Sequence, residues 1–337
     1  MREIPRPPVR FFRCLLGYLL ALVATAALLY RLRPEDETYQ ATLAGASQCN
    51  VLIVGPSYIK VGLNTQDFED EARALGHPLR VCKFARSALR GYEVMHDLAH
   101  LLEHRWPKLR YVAVDVTLPP ANLGFERDNW FSPRVVQWHT AGALAWVYHF
   151  YRQQGLGWKE LGPLALGHVE HAAMNYLGVG RLGRRLTQAR FLDGLTGSER
   201  SQKGPQEVDR VGSRGKLTRP TEAEHDDMVR RLVDRKSRAR DHKRHADDDW
   251  PRELEPIIRA HRFEPVFLYS PVYETFLPPR TKRPRNPALV FLDFDDPEGY
   301  PALYDYKVRG HTSHLNAKGA VIYSQLLARE FVRLDSR

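Results

Sequence analysis

Cysteine is scarce in this chain: three in 337 residues, Cys14, Cys49 and Cys82. At most one intramolecular disulfide is available, so the fold must rest on a hydrophobic core, for which the chain is long enough. After Tyr30 no uninterrupted apolar run is long enough to span a bilayer. There is no His-Glu-x-x-His, so the histidines of "HDLAHLLEH" (His96, His100, His104), one per helical turn, read as surface or interfacial residues rather than metal ligands. In "GPSYIKVG" the lysine is followed by valine and no Gly-Lys-Ser/Thr closes a phosphate loop. Internal repeats are absent as well, which excludes a solenoid.

Positive charge, by contrast, is in excess: the formal net charge is +10. Much of it is local, since "RRLVDRKSRARDHKR", Arg230 to Arg244, carries eight Lys or Arg. No aromatic platform or recognised binding motif accompanies it, so it reads as a solvated charged helix or mobile segment and nucleic acid is not expected as a partner.

One long apolar run exists, at the start. "CLLGYLLALVATAALLY", Cys14 to Tyr30, has 17 uncharged residues, at the short end of a bilayer-spanning helix. Arg2, Arg6, Arg10 and Arg13 precede it against a single Glu3, which places the N-terminus in the cytoplasm and the rest outside. A cleavable signal peptide is the rival, with "ATA" (Ala24 to Ala26) as its cleavage site. The apolar run continues past that point and favours an uncleaved anchor. Cys49 and Cys82 then lie in an oxidising compartment where a disulfide is permitted, two buried free thiols being the alternative.

Beyond a polar linker over residues 31–48, strand and helix signals alternate. Val51 to Gly55 reads as a buried strand, Gln66 to Leu75 as a helix, Leu79 to Phe84 as a second strand, Tyr92 to His104 as a helix and Tyr111 to Val116 as a third strand. The pattern returns in "FEPVFLYSP" (Phe263 to Pro271) and "ALVFLDF" (Ala288 to Phe294), and closes with a helix in "NAKGAVIYSQLLAREFVRL". These signals imply an α/β domain over 49–337, with a mostly parallel sheet and right-handed crossovers. Residues 118–255 break the pattern and read as an inserted helical and loop region. Within it "VVQWHTAGALAWVYHFY" is too short and too punctuated by His and Gln for a second span, and reads as a buried or interfacial helix.

Ligands of open α/β sheets bind beyond the carboxyl ends of the strands. Ser57 lies at the carboxyl end of the first strand, Asp115 at that of the third, and "SPVYE" follows the fourth. "HTSHLNAKGA" places His314 just before the last helix, from where an imidazole reaches back across the strand ends. A serine and a histidine brought together make a nucleophile and its general base.

"GPS" after the first strand, the glycine of "RSALRGYE" after the second, and "SHLNAKGA", with Gly319 five residues after His314, resemble the SGNH/GDSL hydrolase superfamily. The resemblance covers about Val51 to Thr117 and Phe263 to Leu334. It implies a flavodoxin-like α/β/α sandwich, Ser57 as nucleophile, His314 as base, and the backbone N–H groups of Ser57 and Gly91 as oxyanion donors. No cofactor is implied. The family's Gly-x-Asn-Asp block is replaced by "DVT", which leaves Thr117 as the nearest third donor and Asn122 as a more distant one. His311 stands where the family has its aspartate, so His314 must be oriented otherwise, by His311 itself, Asp305, an aspartate of "DFDD" (Asp293, Asp295, Asp296) or a backbone carbonyl.

The expected function is that of a membrane-anchored esterase or O-acyltransferase acting on acylated glycan or lipid outside the cytoplasm, among envelope assembly proteins. The alternative is a tethered binding or assembly protein that keeps the fold without turnover.

Overall fold

The computed structural model describes residues 9–31, 37–86, 89, 91–117, 139–145, 148, 157–177, 221–241, 249–272, 288–311 and 314–337. In chain order the elements are α1 (Val9–Arg31), α2 (Glu37–Ala44), β1 (Val51–Gly55), α3 (Ser57–Gly62), α4 (Thr65–Ala74), β2 (Val81–Ala85), α5 (Gly91–Leu102), β3 (Tyr111–Asp115) and α6 (Trp158–Leu177). They continue with α7 (Glu222–Asp241), α8 (Asp249–Ala260), β4 (Glu264–Tyr269), β5 (Val290–Asp293), two 3-10 turns, β6 (Arg309–His311), β7 (His314–Leu315) and α9 (Ala317–Asp335). The chain divides into two units: Met1–Glu35 with Phe125–Asp193, and Asp36–Gly124 with Gly194–Arg337.

The second unit is an α/β domain around a five-stranded parallel sheet of order β2-β1-β3-β4-β5. All five residues of β1 and of β3 are buried, as befits parallel strands covered on both faces. Alternate residues face opposite ways. Val51, Ile53, Ala113, Val266 and Leu268 share a core with Phe68 of α4 and Phe331 of α9. Leu52, Val54, Val112, Val114 and Phe267, of opposite parity, are equally buried. On that side α5 packs on β1, α8 packs on β4, and the two helices touch each other. After β2 the chain recrosses to the far side of β1 to lay down β3, so the order reverses between β1 and β3. Beyond the carboxyl ends at such a reversal lies the usual ligand crevice.

The first strand falls at Val51–Gly55, as its apolar run predicts; β3, β4 and β5 lie within the expected segments, and β2 starts two residues later and ends one residue later than expected, at Val81–Ala85. Several elements differ from expectation. Ser57 opens a short helix not expected from the sequence, and α2 occupies the polar linker. Helix α8, at the end of the segment read as an insertion, packs on β4. The described part of the basic stretch is helical in α7, where Asp227 pairs with Arg230 and Arg231.

Cys49 and Cys82 form a disulfide, with Cα atoms 5.7 Å apart. The pairing left open by the sequence is decided by the approach to β1. Asn50 already runs beside β2, its N–H donating to the Arg80 carbonyl at 2.9 Å and its side-chain Oδ1 accepting from the Arg80 N–H at 2.9 Å. Gly45 leaves room for the bridge, since a Cβ there would lie 2.7 Å from the Cys82 sulfur.

Among the described residues no helix is long and apolar enough to cross a membrane. Helix α1 is helical over 23 residues, and its described side chains, Phe11 to Thr25, are all exposed.

The disulfide closes a loop with a sequence separation of 33, for which chain entropy predicts a stabilisation of about 3–4 kcal/mol. Urea unfolding of Cys49→Ala/Cys82→Ala should show a loss of that order. An unchanged midpoint and slope would contradict it.

Candidate functional site

Ser57 is placed by a glycine that has no room for a side chain. At Gly55, the last residue of β1, a Cβ would lie 2.4 Å from Ile59 Cγ1 and 2.9 Å from Asp115 Cβ. The chain therefore passes tightly between α3 and the end of β3. Pro56 is extended and caps α3, its carbonyl accepting from the N–H groups of Ile59 and Lys60 at 3.1 and 3.0 Å. Ser57 follows as the first helical residue and is partly exposed.

The other end of α3 is held by Lys83, the one charged residue of β2. Its ammonium donates to the Leu63 carbonyl at 2.7 Å and the Lys60 carbonyl at 3.2 Å. A cation there suits the negative end of the helix dipole. Burial disfavours the charged form, Lys60 adds repulsion, and the Lys83 ammonium is lowered to about 8.

His314 sits in β7, antiparallel to β6. Several contacts fix this hairpin. Asn316 caps α9 by accepting from the Gly319 N–H at 3.1 Å, while its amide group donates to the Lys307 carbonyl at 2.9 Å and the Arg309 carbonyl at 3.3 Å. Gly319 admits the close approach of α9, since a Cβ there would lie 2.3 Å from the Val308 carbonyl oxygen. The buried Arg309 donates to the carbonyls of Leu303 and Pro271, each at 2.9 Å, and stacks on Tyr304. It thereby ties the hairpin to the chain just beyond β4.

Helix α3 packs against β7 and α9. The rings of Tyr58 and His314 lie 5.3 Å apart, tilted by 35°. The elements carrying Ser57 and His314 are thus neighbours at the carboxyl edge of the sheet.

The remaining expected site residues have other partners. His311 pairs with His314 in the hairpin register, and its side chain lies outside the described residues. Asp305 caps the following 3-10 turn, accepting from the Lys307 N–H at 2.7 Å. Asp293 and Asp296 accept from backbone N–H groups two residues on, while Asp295 accepts from the Tyr304 hydroxyl at 3.2 Å. Gly91 is the buried first residue of α5. Thr117 is fully buried; its N–H donates to Asp115 at 2.8 Å and its hydroxyl accepts from the Ser270 N–H at 2.7 Å. Asn122 lies outside the described residues.

Asp115, Thr117 and Ser270 form a closed network joining the ends of β3 and β4, because the Ser270 hydroxyl donates to the second oxygen of Asp115. The fully buried Tyr323 of α9 stands beside it. Burial, then the nearby Asp115 carboxylate, pushes the phenol above its ordinary range. At the end of β2 the Arg86 N–H donates to the Gly55 carbonyl at 3.2 Å. Its buried guanidinium pairs with Asp97 at 2.8 Å, with Glu93 4.0 Å away.

Several of these residues are not singled out by sequence reasoning. A lysine inside the apolar "VCKFA" is the visible signal for Lys83. The i,i+3 pair His168 and His171 marks another group, in the first unit. There His139 hydrogen-bonds His168 at 2.9 Å, and the rings of His139 and His171 lie 4.7 Å apart. In the α/β unit His100 of the four-residue stripe stacks on Tyr39, with centroids 4.9 Å apart.

No protein-family model, curated protein or solved structure matches this chain.

The lowered Lys83 carries a pH signature. Its folded value lies below the unfolded one, so the folded state releases this proton first and the contribution to stability rises as pH climbs from about 8 toward 10.5. The difference in unfolding free energy between wild type and Lys83→Met should therefore grow in favour of wild type by up to ~1.4 kcal/mol per pH unit over that window. A pH-independent difference in urea titrations would refute this account of Lys83.

Proposed function

We propose that this chain is an SGNH-type serine esterase or O-acyltransferase with a flavodoxin-like α/β/α domain, held outside the cytoplasm by α1. The observation that carries the reading is the packing of α3, which begins with Ser57, against the strand that bears His314. Two further features support it: the strand order reverses at β1/β3 beside that serine, and the sequence resembles the family at both segments.

In this mechanism the Ser57 oxygen attacks an ester or thioester carbonyl and its proton passes to His314. The carbonyl electron pair moves to oxygen, where the N–H groups of Ser57 and Gly91 meet the developing charge. Thr117, the nearest third donor by sequence, accepts the Ser270 amide through its hydroxyl. Collapse expels the alcohol or thiol, which takes the proton from His314, and leaves an acyl-enzyme. Water or a sugar hydroxyl then attacks with His314 again as base, giving hydrolysis or transfer respectively. Acylated glycan or lipid is the substrate class, with no cofactor and no nucleic acid, and envelope assembly proteins are the natural neighbours.

The disulfide favours an oxidising compartment. The exposed apolar side chains of α1, among them Phe11, Phe12, Leu16, Leu20 and Val23, favour a lipid surround. A second reading, a tethered binding or assembly protein without turnover, draws on one observation. Asp305, a candidate to orient the imidazole, has a carboxylate oxygen on the Lys307 amide.

Purified full-length protein in detergent should react with a fluorophosphonate and cleave a small acetyl ester. Ser57→Ala and His314→Ala should each lower ester cleavage by about 10³-fold or more. Folded wild type that is neither labelled nor faster than the variants would favour the non-catalytic reading.

A further inference from the structure

Helix α6 is inside out. Its outward positions are Gly162, Ala165, Leu166, Val169, Ala173 and Tyr176, all exposed. At 100° per residue they form one continuous stripe, which Lys159 and Glu170 flank rather than interrupt. Leu166 is 70%, Val169 53% and Tyr176 60% exposed. The opposite side carries the polar groups. His168, His171 and Asn175 are buried there, the first joined to His139 and the last donating to the His139 carbonyl at 3.1 Å.

A helix at a water surface shows the reverse pattern, apolar inward and polar outward. Burying imidazoles and an amide while leaving Leu, Val and Tyr outside is unfavourable in water and favourable where the surroundings are hydrocarbon. The mean hydropathy of α6 conceals this, because it averages residues that face in with residues that face out.

The rest of the unit points the same way. Among the described residues, every large hydrophobic side chain that is exposed belongs to the first unit, except Leu75. Helix α6 packs against α1, whose described side chains are apolar and exposed around the helix apart from Arg13 and a few small or hydroxyl residues.

We propose that the outward stripe of α6 is a second membrane-contact surface, which lies in the acyl-chain region of the bilayer beside α1 with Glu170 at its edge, toward the headgroups. The inference rests on reading α1 as the anchor. It gives the insertion a role: part of the segment between β3 and β4 is lipid-seated. The buried His139–His168–His171 group becomes the polar interior of a lipid-facing unit, where internal hydrogen bonding is required because hydrocarbon offers none.

The test uses full-length protein in phosphatidylcholine vesicles. Cys14→Ser leaves no free thiol, and single cysteines are then introduced by Leu19→Cys, Val169→Cys, Ala173→Cys or Arg252→Cys and labelled with a small fluorophore. Lipids brominated in their acyl chains and aqueous iodide serve as opposing quenchers. Probes at 19, 169 and 173 should be quenched by the brominated lipid and protected from iodide, and the probe at 252, exposed on α8, should behave in the opposite way. If the probe at 19 is quenched by lipid while those at 169 and 173 are quenched by iodide, the anchor stands and the inference falls. If 169 and 173 are shielded from both quenchers, a protein surface covers α6 and the inference also falls. Iodide quenching at 19, 169 and 173 alike overturns anchor and inference together. Lipid quenching at 169 and 173 without it at 19 removes the anchor on which the inference rests and overturns the inference with it.

Discussion

The docking of the terminal helix α9 governs where His314 sits. It returns the end of the chain to the start of the α/β unit: Phe331 packs edge-on against Phe68 and Tyr111, Arg329 pairs with Glu71 at 2.7 Å, and the Ser324 hydroxyl accepts from the Asn64 N–H at 2.8 Å. His314 lies three residues before that helix, so its position follows from the docking. Gly319 makes the approach sterically possible, and Asn316 satisfies both the helix N-terminus and the carbonyls of the hairpin. A methyl group at 319 would collide with the backbone of Val308. The cost of such a collision, about 1–3 kcal/mol, would fall on the segment that positions the imidazole.

The serine is fixed from the other direction. Gly55 threads β1 past Asp115 into α3, and Lys83 holds the far end of that helix by two carbonyls. Beneath it the network of Asp115, Thr117 and Ser270 ties the ends of β3 and β4 together, buried and hydrogen-bonded to one another. A nucleophile needs this kind of support, because small displacements from the productive geometry are costly in rate.

Much of the sandwich was legible in the sequence. Uninterrupted apolar runs such as "VLIVG" and "YVAVD" announce parallel strands covered on both sides, and "NAKGA" announces a capped helix. The disulfide was not legible, because it depends on Asn50 running alongside β2, a tertiary fact. Neither was the packing of α8 on β4, since its two prolines and acidic residues hide an apolar face that only β4 reveals. For the site, Ser57 and His314 stood out by type and place, whereas Lys83 and Arg309 did not. A lone basic residue in a strand reads as a solvent-facing position until the carbonyls it meets are known. Helix α6 was obscured for a related reason: composition does not say which face points outward.

On the proposed reading the α/β unit supplies the strand-end site and the first unit the contact with lipid. On that reading Ser57 and His314 act as one device, and a double-mutant cycle on ester cleavage by full-length protein, with fluorophosphonate labelling compared for the two proteins that keep Ser57, tests it most directly. Cleavage rates would be compared for wild type, Ser57→Ala, His314→Ala and the double variant. Groups that act together give strongly non-additive losses, so the double variant should cleave ester no more slowly than Ser57→Ala, and His314→Ala should label far more slowly than wild type. Losses that simply add, or a His314→Ala variant that labels as fast as wild type, would contradict the account.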